Sequence, residues 1–156
     1  MNAHQRREEA LSAISRVRRG ERAQDVESEI VDFKEEAGTV GRSGVGRRPI
    51  DPRDEAAARA LAAAAACLAN SEKGGVLVVG VNDAGAGDSA FVGAHLDTGW
   101  LRTRIHSLTV PGLSVDEPEE MQVAGARIYL VNVAPALEEI RCQGALRAGS
   151  ARAASS

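Results

Sequence analysis

Cysteine, lysine, aromatic residues and long apolar runs are all scarce in this chain of 156 residues. The two cysteines, Cys67 and Cys142, form neither a CxxC pair nor a disulfide framework, so a reduced cytoplasmic setting is expected. The longest apolar run, Ala60 to Ala69, falls far short of the roughly 18 residues that suggest a membrane span. The opening MNAHQRREEA lacks the apolar core of a secretory signal. Aromatics make up 3% of the chain. Phe33, Phe91, Trp100 and Tyr129 all fit core positions, which leaves no evident stacking platform for single strands. His4, His95 and His106 have no His or Cys partner at zinc spacing, so a zinc site is not expected. Hydrolase triads also lack a local signature. No Lys follows Gly38, Gly41, Gly44 and Gly46 in the phosphate-loop pattern, which argues against a nucleotide site there.

What is present is a globular composition, 44% hydrophobic and 26% charged. The net charge of -3 excludes a generally basic surface. The cations are unevenly chosen. Of 19, all are Arg except Lys34 and Lys73. Arg presents a planar fork that suits phosphate. Arg42, Arg47 and Arg48 sit in a Gly-rich loop at 38–50, and Arg141, Arg147 and Arg152 follow Glu139 with no further acid. Codon bias accounts for most of the arginines, with a solvated loop and a charged, solubilising tail as the plain readings of these two clusters.

Periodicity predicts an N-terminal helix over 3–19, with Ala10, Leu11, Ile14 and Val17 inward and Gly20 as its stop. Glu29 to Lys34 reads as a strand with Val31 and Phe33 facing the core and Asp32 and Lys34 opposite. An Ala-rich helix is expected from Asp51 as N-cap and Pro52 as first helical residue, closing at Asn70. Gly74-Gly75 then turn into a strand over Val76–Val79, buried on both faces and ending at Gly80. A second amphipathic helix is predicted from Thr98 to Leu108, with Trp100, Leu101, Ile105 and Leu108 inward and Pro111 ending it. Strands near Leu113–Val123 and Arg127–Val133 meet at Gly125, the first being an edge strand interrupted by Asp116–Glu120. A last strand near Ala145–Ala148 and a frayed tail after Gly149 complete the expectation. The fold class is α+β, a mixed sheet with two to three packed helices. The N-terminal helix is set apart from a domain over 20–152.

Three carboxylates stand out as possible oxygen ligands for Mg²⁺ or Mn²⁺: Glu27, Asp32 and Asp83. In a straight strand Glu27 and Asp32 face opposite sides, so they converge only if the chain bends near Ser28. The competing reading is a solvated Glu27, an Asp32 paired with Lys34 and an Asp83 that serves its turn.

Glu27-Ser28 followed by Asp32-Phe33-Lys34 resembles the opening E-S-x-x-x-E-F-K signature of the Schlafen AlbA_2 domain. Ala66 to Asp83, with Asn70, Gly74, Gly75 and Gly80, is similar to its helix-to-strand segment. Phe91-Val92-Gly93 and Arg147-Ala148-Gly149-Ser150 resemble the pieces that follow, in order, over roughly 20–152. Asp32 stands where the family has Glu, Asn82 precedes Asp83, and Cys67 stands where Phe is favoured. The resemblance implies a nucleic-acid-binding domain, for DNA or RNA, in a transcriptional or regulatory role, with no cofactor required. Lys34, Arg42, Arg47, Arg48, Arg147 and Arg152 would then contact phosphate. It also implies, as an alternative, a Mg²⁺- or Mn²⁺-dependent endoribonuclease on structured RNA, with Glu27, Asp32 and Asp83 as catalytic acids and metal ligands. A third reading is an oligomerising domain with a vestigial site, built on the edge strand near Val115. Gly74-Gly75 would serve close backbone approach or simple turn geometry, and Asn70 a helix cap.

Overall fold

A computed structural model describes residues 1–36 and 50–142. The elements are α1 (Ala3–Arg18), α2 (Ala23–Val26), β1 (Val31–Lys34), α3 (Glu55–Ala69), β2 (Gly75–Val79), α4 (Thr98–Leu108), β3 (Thr109–Val110), β4 (Glu119–Val123), β5 (Ala126–Val133) and β6 (Arg141–Cys142). The main sheet has the order β1-β2-β5-β4. β1 runs parallel to β2, while β2–β5 and β5–β4 are antiparallel, so the sheet is mixed. β3 and β6 form a separate two-stranded ribbon.

Period-two alternation divides the core. Leu77, Val79, Tyr129, Val131 and Val133 point to one face and meet α3 and α4. Val76, Val78, Phe33, Ile128 and Leu130 point to the other and meet Ala10, Ala13, Ile14 and Val17 of α1. The result is an α+β sandwich with helices on both faces. All five residues of β2 are buried, as a central strand covered on both sides requires. The alanines of α3 let that helix lie close to the sheet: Ala57, Ala58, Ala62 and Ala65 have no exposed surface. α1 is tied down by Arg6, a buried side chain whose Nε donates to Asn132 Oδ1 of β5 at 2.7 Å.

Several boundaries differ from the expected ones. β1 starts at Val31, not Glu29, because Ser28 turns the chain before it. The N-cap of α3 is Asp54, whose Oδ1 accepts the Ala57 N–H at 2.9 Å. Asp51 instead closes a turn by accepting the Arg53 N–H, and Pro52 lies in that turn. α4 keeps its predicted bounds, yet Trp100 is only half-buried. It ends at Leu108, before Pro111, because Thr109 takes extended backbone and opens β3. No strand covers 113–118. β4 begins at Glu119, and Val115 is a buried loop residue, not an edge. The expected strand near Ala145–Ala148, the tail and nearly all of the 38–50 loop lie outside the described residues.

Glycines position the β1–β2 end. Gly74 has φ +70°, and a Cβ there would lie 2.2 Å from Val133 O. A Cβ on Gly75 would lie 2.4 Å from Ile30 O. Of the two readings, close approach of backbone to a neighbouring strand therefore holds for both. Asn70 caps α3 and also clamps Ile140, donating to its carbonyl and accepting its N–H.

Candidate functional site

β1 and β2 are parallel, so their C-terminal ends finish side by side. The candidate acids collect around this edge. α2 is a single turn that delivers Glu27 as its C-cap. Ser28 then bends the chain. Its N–H donates to Val31 O at 3.1 Å, and its Oγ accepts the Ile30 and Val31 N–H groups. The bend brings the Glu27 carboxyl back along β1, where Oε2 accepts the Phe33 N–H at 3.2 Å. Among the described strands β1 is an outer one, and these side-chain acceptors satisfy donors that its neighbour β2 does not meet.

The same bend joins Glu27 to Asp32. Their carboxyl groups hydrogen-bond to each other, and the Glu27 carboxyl is pushed up to about 7. Burial is the largest cause, followed by the Asp32 hydrogen bond. The Phe33 N–H pulls the other way, and the charges of Asp32 and Asp83 push further up. Near neutral pH the Glu27 carboxyl is therefore divided between its protonated and charged forms, where an isolated glutamate would be almost wholly charged.

Asp83 is the third member, at longer range. It follows β2, and its backbone carbonyl accepts the Gln24 N–H at 2.7 Å, while Ala23 N–H donates to Gly85 O. These two bonds staple α2 to the 83–85 turn. The turn itself is shaped by Asn82 Oδ1, which accepts the Ala84 N–H. The exposed Asp83 carboxylate acts on Glu27 through space. Among the described residues no group of three His, Cys, Asp or Glu side chains is placed to hold a metal ion. The structure brings Glu27 and Asp32 together and leaves Asp83 as a neighbouring charge.

Of the proposed phosphate contacts, Lys34 is described. It is exposed, with Nζ 3.8 Å from Asp32 Oδ1. Arg42, Arg47, Arg48, Arg147 and Arg152 lie outside the described residues. Gly80 locks the end of the strand pair: its N–H donates to Lys34 O at 2.8 Å, and its carbonyl accepts the Val92 and Gly93 N–H groups. Arg22, the exposed N-cap residue of α2, stands opposite Ala86 in a two-residue bridge beside the Asp83 turn.

Sequence reasoning missed Glu36. It is 1% exposed. Its two carboxylate oxygens accept the His95 and Leu96 N–H groups at 2.7 and 2.8 Å, and Oε1 lies 3.3 Å from His95 Nδ1. His95 is therefore not isolated. Glu36 welds the exit of β1 to the segment leading into α4. A Glu two residues past a strand carries no sign of this, because both groups it serves are backbone N–H donors distant in sequence.

A family profile described as Schlafen, AlbA_2 matches residues 27–149. The chain belongs to the Schlafen AlbA_2 family. Among solved structures it is similar to the DIP2311 protein from Corynebacterium diphtheriae, with 30% identity and a TM-score of 0.69. The similarity covers 90% of this chain and 28% of that one, so the chain spans just over a quarter of that protein's length. No curated protein matches it. The Schlafen AlbA_2 span opens on Glu27 itself and contains Asp32, Lys34 and Asp83. α1 precedes the span, yet it supplies one face of the core. No helix among the described residues is long and apolar enough to cross a membrane.

Proposed function

We propose that this Schlafen AlbA_2 domain binds nucleic acid, DNA or RNA, in a regulatory role, at the sheet end where Glu27, Asp32, Lys34 and Asp83 gather. The observation that supports it is the Glu27–Asp32 pair. Two adjacent carboxyls, one of them still partly protonated near neutral pH, form a place where a hard cation can substitute for the proton. Mg²⁺ is commonly held by one or two carboxylates plus the phosphates of its ligand, without an all-protein cage. The residues present fit that mode: Glu27 and Asp32 would hold the ion, and Asp83 would add charge nearby. Such an ion explains how a chain of net charge -3 approaches a polyanion. Lys34 and Arg22 are the described cations beside it.

Fluorescence anisotropy with duplex and single-stranded DNA and RNA, at low salt with Mg²⁺ or a chelator, tests this. Salt-sensitive binding that weakens with chelator and with Glu27→Ala is expected. No binding to any probe at low salt rejects the reading.

A second reading is a divalent-metal-dependent endoribonuclease acting on structured RNA. The Glu27 carboxyl at about 7 favours it, since a group titrating near the working pH can accept and return a proton. A bound divalent ion would supply an activated water and charge stabilisation at the phosphorus. Asp32 would keep Glu27 in place through their hydrogen bond, and Lys34 would steady a phosphate oxygen. Transfer RNA incubated with protein and Mn²⁺ decides. No cleavage, or cleavage indifferent to Glu27→Ala, removes this reading and leaves binding intact.

A further inference from the structure

The outer face of α4 forms a second site that the acid pair does not touch. Leu101, Ile105 and Leu108 turn inward. Arg102 and His106, spaced i and i+4, then share the solvent side, with Thr103 and Ser107 stacked the same way beside them. After β3 the chain folds back along this side. Leu113 and Val115 are buried, which turns Ser114 outward between them. Arg102 pins the returning segment, its Nε donating to Val115 O at 2.8 Å. Gly112 lies against the imidazole, so close that a Cβ on it would be 2.6 Å from His106 Nε2. The result is an open cleft of about 430 Å³ lined by Arg102, Thr103, His106, Ser107 and Ser114.

The lining contains no carboxylate, in a chain where acids outnumber bases. The acids of the returning loop are sorted elsewhere: Asp116 and Glu117 line a different cleft, with Arg7, Glu119 and Asn132. Arg104 on the same helix is forked onto Glu55, but among the described residues Arg102 has no acid partner. Only its Nε is engaged, which leaves the terminal guanidinium nitrogens as donors. The Thr103 and Ser107 hydroxyls each give their single proton to a helix carbonyl, and Ser107 Oγ also accepts from the Arg104 guanidinium, so toward the cleft they offer lone pairs only. Among the described residues the Ser114 hydroxyl and the His106 ring make no hydrogen bond.

We infer that this cleft is an oxyanion site that takes a phosphate group, held by the Arg102 guanidinium with His106 and the Ser114 hydroxyl. A guanidinium fork, an imidazole N–H and the Ser114 hydroxyl as donors suit a tetrahedral oxyanion. The volume exceeds that of one phosphate and leaves room for what carries it. The phosphate comes either from a nucleic-acid backbone or free in solution.

Nuclear magnetic resonance on the full chain separates these. Inorganic phosphate is titrated while the His106 ring and Arg102 Nε–H signals are followed, with sodium chloride at matched ionic strength as control. A short RNA duplex is then added in its place. Saturable shifts with phosphate, lost in Arg102→Ala and in Ser114→Glu, are expected. Ser114→Glu sets a carboxylate in the cleft and leaves the Arg102–Val115 bond alone, so it stays informative if Arg102→Ala unfolds. If the duplex reproduces the shifts, the source is backbone, and Arg102→Ala should lower the salt slope of binding by about one. If phosphate alone does so, the source is free phosphate. Shifts equalled by chloride, absent with both ligands, or retained in both variants overturn the site. Glu27→Ala leaves the shifts raised by inorganic phosphate in place, which keeps the result distinct from the fate of the acid pair.

Discussion

The carboxyl of Glu27 is hydrogen-bonded to that of Asp32, although a bend at Ser28 and a strand start separate them in the chain. Two acids that would both be charged in water above about pH 5 are held so that one keeps its proton up to about pH 7.

Replacing Glu27 by Gln keeps an acceptor for the Phe33 N–H and removes the charge conflict. Glu27→Gln should melt no lower than the parent at pH 8 without metal. The parent should gain melting temperature with millimolar Mn²⁺, and the variant should gain little, because the cation stabilises by binding the folded state alone. Thermal denaturation with and without Mn²⁺ reads both.

The direction of the Glu27 shift fixes a pH dependence. A carboxyl at about 7 in the folded chain and near 4.3 when unfolded means that the unfolded state releases its proton first. Between those values the folded state binds more protons, so this group's contribution to stability is present at low pH and is lost as pH rises toward 7. Mn²⁺ affinity moves oppositely, since the ion competes with the proton. Comparing parent with Glu27→Gln across pH 4–8 isolates the term, and a parent that gains stability relative to the variant over that range would contradict it.

Gly74→Ala and Gly75→Ala should each destabilise by about 3 kcal/mol, at the upper end for overpacking. The obstructing atoms are backbone carbonyls of Val133 and Ile30, which cannot step aside as a side chain could. Urea unfolding measures the loss. Gly125→Ala is the control: nothing lies within 4 Å of its added Cβ, so its cost comes from its positive φ alone and should be about 1 kcal/mol.

Removing the Glu36 carboxylate strands two N–H groups, on His95 and Leu96. Glu36→Ala should cost about 3 kcal/mol, and Glu36→Gln less, because one acceptor oxygen survives. Hydrogen exchange at the His95 and Leu96 amides should quicken in the alanine variant ahead of global unfolding.

Much of this architecture is legible in the sequence because it depends on local pattern. Apolar spacing gives α4 its bounds, and the β-branched run between glycines gives β2. The α3 start is harder. Asp51 and Asp54 stand three apart, both bond backbone N–H groups within a few residues, and only the packing of Ala57 and Ala58 selects the second. α2 is one turn, too short for periodicity, and is fixed by the distant 83–85 carbonyls. For the site, the sequence poses the condition that Glu27 reaches Asp32 through a bend at Ser28, and that bend is present. Glu36 leaves no trace because its partners are main-chain groups nearly sixty residues on.

The outward donors of β1 carry a last consequence. Ser28 and Glu27 occupy the Val31 and Phe33 N–H groups, the ones an intruding strand from another molecule would seek. The acid that furnishes the chemistry thus also guards the chain against edge-to-edge aggregation. Glu27→Ala should self-associate more than Glu27→Gln, which can still occupy the Phe33 N–H. Light scattering would separate a variant that has lost its ligand from one that has gained an unwanted copy of itself.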